Sequence, residues 1–85
     1  MYRTAEDVVI REQGGRAFLL HLKTARYYEL NATGLLAWKA IAAGEDPAAA
    51  LAAAHTTVDE LTLRADLEKL MGELLDAGLI RPASG

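Results

Sequence analysis

The stretch that most constrains the fold is residues 26–34, RYYELNATG, where a strand-forming run meets a helix start with almost nothing between them. The two adjacent tyrosines and Leu30 are residue types that suit a pleated sheet surface. Asn31 is a strong N-cap, because its side chain can accept a hydrogen bond from the first free amides of a helix. The sequence therefore predicts a strand over Arg26–Leu30 that ends where a helix begins.

Two further strands are expected before this stretch. Asp7–Gln13 is predicted to be a first strand, with Val8 and Ile10 on one face and Val9 and Arg11 on the other. Gly14 and Gly15 then supply the positive φ angles that a two-residue hairpin turn needs, so Arg16–Lys23 should fold back antiparallel. A second reversal at Thr24–Ala25 leads into Arg26–Leu30, which then lies at one edge of a three-stranded meander.

The second expected strand places its largest apolar side chains on one face. Phe18, Leu20 and Leu22 share this face, which we expect to pack on the core, while His21 falls on the opposite, more exposed face. Residues from the third strand and the helices complete the expected core. The expected core comprises Phe18, Leu20, Leu22, Leu30, Leu35, Trp38, Leu67 and Leu70.

Three helices are expected after the strands. The first begins after Asn31 and runs for about twelve residues before Gly44, a residue type common just past helix ends. Asp46 followed by Pro47 is typical of a second helix start. That helix is short and nearly all alanine, so it can pack closely but has few large side chains to anchor it.

The third helix is expected to be the longest element. Thr57 and Glu60 fit a capping box, and the helix should run to about Ala77. Leucines recur along it at helical spacing and form one apolar stripe, with Asp66 and Glu73 on its border. The stripe consists of Leu63, Leu67, Leu70 and Leu74.

These elements predict an α+β fold, in which a three-stranded antiparallel β-meander precedes three α-helices in a winged-helix-like order. At 85 residues the chain has room for one domain with a modest core, so we expect a single domain over residues 1–85. The composition, 52% hydrophobic and 25% charged, is typical of a globular protein, and no apolar run approaches the length of a membrane span. The acidic amino end does not resemble a secretory signal, so we expect a soluble, cytoplasmic protein.

Residues that could carry chemistry are scarce. The chain has no cysteine, which excludes disulfides and thiolate metal sites. His21 and His55 have no second ligand at helical spacing, and Ser84 is the single serine. We therefore expect no enzyme activity, no cofactor and no metal.

A winged-helix order also fits a DNA-binding module, with the third helix in a groove of the duplex. From Asp59 to Asp76, however, that helix carries six acidic residues against two basic ones, Arg64 and Lys69. Phosphate repulsion would oppose docking. Nucleic-acid binding is therefore the alternative function and not the preferred one.

The edge strand and the leucine stripe can instead form a groove. An edge strand leaves backbone donors and acceptors unpaired, and a nearby apolar helix would add a hydrophobic wall, so an extended peptide could fill the space. Most of the leucines also fit an ordinary core face, and this reading stays open. The residues expected at the groove are Arg26, Tyr27, Tyr28, Glu29, Leu30, Leu63, Asp66, Leu67, Leu70 and Leu74.

Several stretches, taken in order, resemble the PqqD-like family of recognition domains for ribosomally made and modified peptides. They are LLHLKTARYYELNATGLLAW, the proline-started short helix, and the long helix ending LLDAGLI, and the likeness covers about residues 7–80. The most specific parts are Tyr28 to Gly34, Asp66-Leu67 and the closing run Leu74 to Leu79. The resemblance implies that the leader segment of a precursor peptide adds as a fourth strand beside the third strand, against the third helix.

Within this family, a chain of this length resembles the stand-alone recognition protein of lasso-peptide pathways. That resemblance implies a precursor leader as partner, with a separate leader peptidase and a cyclase, and neither nucleic acid nor membrane. Quinone-cofactor and radical-enzyme pathways also use stand-alone members and remain alternatives. The chain departs from the family at Ala25, where glycine is usual, and over Ala48–Ala54, which lacks larger apolar residues.

Overall fold

The computed structural model describes residues 2–54 and 59–82, apart from the side chain of Glu60. It confirms an α+β fold in which a three-stranded antiparallel sheet precedes three helices. The elements in chain order are β1 (Tyr2–Thr4), β2 (Val8–Gln13), β3 (Arg16–His21), β4 (Arg26–Leu30), α1 (Ala32–Ala42), α2 (Pro47–Ala54), α3 (Glu60–Asp76) and β5 (Ile80–Pro82).

The three-stranded sheet has the order β2-β3-β4, so β4 is an edge strand as predicted. Gly14 and Gly15 have φ angles of 60° and 77°, the geometry of a tight turn between twisted strands. β3 ends at His21, two residues earlier than expected, because the chain turns over residues 22–25. Ala25 closes this turn with a φ of 58°, a left-handed conformation that glycine adopts more easily.

The sequence did not predict the second, two-stranded sheet. β1 pairs antiparallel with β5, with Tyr2 opposite Pro82 and Thr4 opposite Ile80. Each strand has three residues, too few for a period-two pattern to be recognised. This sheet joins the two ends of the described chain and packs β1 against α1.

The expected core face of β3 was wrong. Ala17 and Leu19 are fully buried and His21 is 9% exposed, whereas Phe18 and Leu20 are half-buried and Leu22 is 59% exposed. The side chain of Leu30 faces the helices because the chain enters α1 immediately after it, and the register places Ala17 directly opposite Leu30. Directly paired residues share a face, so β3 presents its smaller side chains to α1.

The core lies between the sheet and the helices. Leu30, Leu35, Trp38 and Leu67 are buried as expected, and Leu70 packs on the edge of the cluster. The largest fully buried side chains are Leu19, Leu30, Leu51, Leu74, Leu79 and Ile80. In the described part of the chain, no helix is both long and apolar enough to cross a membrane.

Side-chain caps begin α1 and α2. Asn31 Oδ1 accepts a hydrogen bond from the Gly34 amide at 2.8 Å, and Asp46 Oδ1 accepts one from the Ala48 amide at 3.0 Å. Both helix starts are therefore confirmed. Thr57, the expected cap of α3, lies outside the described residues, and α3 begins at Glu60 after Asp59, which makes no side-chain cap.

Candidate functional site

The hydrogen bonding of the sheet determines which backbone groups of β4 face outward. The Leu22 amide donates to the Asp7 carbonyl at 2.7 Å, just before the paired residues Val8 and His21. In an antiparallel ladder the bonding direction alternates from one residue to the next. Even-numbered residues of β3 therefore bond to β2, and odd-numbered residues direct their backbone groups toward β4.

The same alternation continues into β4. Its residues opposite the odd-numbered positions of β3 are Arg26, Tyr28 and Leu30, and these direct their amides and carbonyls inward. Tyr27 and Glu29 direct theirs to the open edge. Of the two possible arrangements of outward-facing residues in β4, the register therefore selects Tyr27 and Glu29.

A groove lies beyond the end of β4, between the start of α1 and one flank of α3. It has a cavity of about 200 Å³ and includes part of α2. Four of the ten residues expected at the groove line this cavity together, namely Leu63, Asp66, Leu67 and Leu70. The lining is completed by Asn31, Thr33, Gly34 and Leu51.

The groove combines an apolar floor with a charged border. Leu67 is 8% exposed and forms the floor, while Leu63 and Leu70 are half-buried at the walls. Asp66 is exposed and places a carboxylate at the mouth. This arrangement suits an apolar side chain that is followed by a hydrogen-bond donor or a cation.

Gly34 brings α1 close to the end of β4. A Cβ atom at this position would lie 3.1 Å from Leu30 Cδ2, so even alanine would require the Leu30 side chain to shift by a few tenths of an ångström. Gly34 belongs to a motif that is visible in the sequence, but Gly34, Asn31, Thr33 and Leu51 were not expected in the groove. Their positions could have indicated this location, because three of them directly follow the edge strand and Leu51 faces the leucine stripe.

Tyr28 connects β4 to α3 through its side chain. Its hydroxyl donates a hydrogen bond to Glu73 Oε2. Burial, this hydrogen bond and the negative charge of Glu73 together raise the pKa of Tyr28 to about 12. This hydrogen bond links β4 to the C-terminal part of α3. Leu63 lies on the same flank of α3, nearer the start of the helix.

The remaining expected site residues lie elsewhere. Leu74 is 0% exposed and Leu30 is 1% exposed, so they support the groove from inside the core. Tyr27 is 75% exposed on the open face of the sheet, and Arg26 is exposed at the start of β4. Glu29 forms an exposed ion pair with Arg16 at 3.4 Å. Their roles in binding stay predictions.

Within residues 2–54 and 59–82, no cluster of three or more histidines, cysteines, aspartates or glutamates is arranged to hold a metal ion. His21 is buried, and its Nδ1 accepts a hydrogen bond from the Lys23 amide at 3.3 Å, which gives it a structural contact in the turn. The edge strand and the groove offer backbone pairing, apolar contact and a carboxylate charge.

The chain matches a protein family over most of its length. The family model described as coenzyme PQQ synthesis protein D (PqqD) matches residues 16–80. No curated protein matches the chain.

Two solved structures have the same fold. The structure described as TbiB1 in complex with the TbiA(beta) leader peptide is 26% identical, with a TM-score of 0.85 over 98% of this chain and 99% of that one. A lasso peptide synthetase B1 complexed with the leader peptide is 23% identical, with a TM-score of 0.81 over 95% and 98% of the two chains.

Proposed function

Because the chain belongs to the PqqD family, we propose that it binds the leader segment of a ribosomally synthesised precursor peptide by adding it as a strand to β4. The observation that carries this proposal is the parity of the edge strand. Among the described residues, no strand pairs with the outward amides and carbonyls of Tyr27 and Glu29, and the groove begins at Asn31, directly after β4. An extended peptide satisfies such groups without any rearrangement of the sheet.

Affinity and specificity come from different parts of the site. The backbone of β4 supplies sequence-independent hydrogen bonds, and the groove selects among side chains. Leu63, Leu67 and Leu70 form the apolar part, which takes one side chain of the leader. Asp66 at the mouth favours a neighbouring lysine, arginine or hydrogen-bond donor.

The pathway and the partner enzymes form a second part of the proposal. The likeness to TbiB1, a protein solved with a leader peptide, supports a lasso-peptide pathway. In such a pathway the bound leader would hold the precursor for a separate leader peptidase and a cyclase. We assign no catalytic step to this chain, and its function would be to bind and present.

Calorimetric titration with synthetic leaders of candidate precursors, chosen from short reading frames neighbouring this gene, tests the function. We expect one-to-one binding, with an affinity that changes little as salt is raised, because an apolar groove and backbone pairing release few counterions. A scrambled leader of the same composition is the matched control. Equal binding of both peptides would contradict the proposal, and so would tight, steeply salt-dependent binding of duplex DNA in place of the leader.

A further inference from the structure

A second and larger cleft lies on the opposite flank of α3. It has a volume of about 490 Å³ and lies between the end of α1, the α1–α2 connection, α3 and β1. We call it the α1–α3 cleft. Its lining residues are Tyr2, Ile41, Glu45, Asp46, Pro47, Arg64, Leu67, Glu68 and Met71.

Leu67 separates the two concave sites, because it lines both the groove and the α1–α3 cleft. The helical positions explain this arrangement. Leu63 and Leu70 project toward the groove, whereas Glu68 and Met71 project toward the cleft. A strand bound along β4 therefore leaves the α1–α3 cleft open, and the two sites can be filled at the same time.

The floor of the α1–α3 cleft is apolar and well packed. Ile41 is 3% exposed and Met71 is 8% exposed, and Tyr2 is half-buried beside them. A cleft of several hundred Å³ with such a floor is large enough for a leucine or aromatic side chain. Methionine adapts its shape to different partners more easily than branched residues do.

The rim of the cleft is acidic. Glu45, Asp46 and Glu68 are exposed there, and Arg64 also lies on the rim. Asp46 already caps α2, whereas Glu45 and Glu68 form no ion pair with another described residue. The cleft also belongs to the acidic half of the chain, since residues 41–85 hold eight acidic and three basic side chains. This half attracts cations and repels anions at a distance.

We propose that the α1–α3 cleft is a docking site for a partner protein, and that it takes a segment in which one apolar side chain is flanked by lysine or arginine. The apolar side chain contacts Ile41 and Met71, and the flanking cations lie near Glu45 and Glu68. The proposal does not depend on what the groove binds, because the two sites lie on opposite flanks of α3.

Three short model peptides, acetylated and amidated, test the chemistry of the cleft. Lys-Leu-Lys should shift the amide resonances of Ile41, Glu68 and Met71 in a titration of isotope-labelled protein. Lys-Ala-Lys should bind about 10-fold more weakly, because less apolar surface is buried. Glu-Leu-Glu should cause no saturable shift at these residues. Equal shifts from Lys-Leu-Lys and Glu-Leu-Glu, or no shift from either, would overturn the proposal.

Single substitutions test the location. Glu45→Gln and Glu68→Gln should each weaken Lys-Leu-Lys binding by about 2- to 5-fold, the range expected for an exposed charge pair. Asp76→Asn removes an exposed carboxylate at the far end of α3 and should leave binding unchanged, so it is the matched control. If all three variants bind Lys-Leu-Lys as tightly as the unmodified protein does, the cleft is not the site. The same conclusion follows if the peptide shifts the amide resonances of Leu63 and Leu70 instead.

Discussion

Replacing Glu29 with proline removes a backbone amide that an added leader strand needs but that the pairing of β4 with β3 does not use. The amide of Glu29 points away from β3, so its loss costs the folded sheet no ladder hydrogen bond. Proline is tolerated on an edge strand where the missing donor faces outward. Leader binding, in contrast, needs this amide, because an added strand pairs with it.

The size of the effect follows from the lost pairing. One hydrogen bond contributes about 0.5–1.5 kcal/mol, and the leader carbonyl left facing the proline ring costs about 1–3 kcal/mol more. Together these terms predict a loss of about 1.5–4.5 kcal/mol of binding free energy, or roughly 10- to 2,000-fold in Kd. The free energy of unfolding should fall much less, by about 1 kcal/mol at most, for the exposed ion pair with Arg16.

Calorimetry with the leader and urea unfolding measure the two quantities. Glu29→Gln is the matched control, since it removes the ion pair with Arg16 but keeps the backbone amide of residue 29. This variant should bind the leader normally. Tyr28→Pro, compared with Tyr28→Ala, should instead lower the free energy of unfolding by about 1–3 kcal/mol, because the Tyr28 amide bonds to β3 and its loss leaves a β3 carbonyl without a partner. Normal leader binding by Glu29→Pro would refute the assigned parity.

Three further predictions concern the turn, the groove and the strand–helix contact. Ala25→Gly should raise the free energy of unfolding by about 0.5–1 kcal/mol in urea titration, because glycine accepts the positive φ, and a decrease would contradict this. Asp66→Arg should weaken leader binding in calorimetry without lowering the melting temperature, and an unchanged Kd would remove Asp66 from the site. The stabilising Tyr28–Glu73 contact should persist below the ordinary tyrosine pKa of 10.0 and be lost as the pH rises through about 12. Tyr28→Phe should abolish this alkaline loss of stability, and an unchanged pH dependence would contradict its assignment to Tyr28.

Local chemistry accounts for the elements that the sequence predicts well. The Gly14-Gly15 turn and the caps at Asn31 and Asp46 each depend on a few neighbouring residues, and all three are present in the structure. The bounds of β4 follow from the same logic, since the cap of α1 ends the strand at Leu30. Such features do not depend on distant contacts, so one sequence is enough to predict them.

The face of β3 could not be predicted this way. Phe18, Leu20 and Leu22 together carry more apolar volume than Ala17, Leu19 and His21, so counting apolar volume favours the wrong face. The correct face is set by the position of α1 over the sheet, which is a tertiary contact. β1 and β5 were missed for a related reason, because each is stable only when the other is beside it.

The groove was predicted in part. The leucine stripe and Asp66 identified the flank of α3, because helical spacing is enough to place side chains on one side of a helix. Helical spacing does not show how deeply each leucine is buried, so the sequence does not distinguish Leu63 from Leu74, although Leu74 is completely buried. The α1–α3 cleft was not predicted, since it forms where Tyr2 and the end of α1 meet α3.

Hydrogen exchange at single residues of β4 tests the central claim, that a leader peptide adds as a strand to this edge. With saturating leader, we predict that the amides of Tyr27 and Glu29 exchange more slowly, since no other described strand pairs with them in the free protein. The amide of Tyr28 is already paired with β3 and should change little. If neither Tyr27 nor Glu29 is slowed, or if protection appears at Val8 and Ile10 on the other edge strand instead, strand addition to β4 is contradicted.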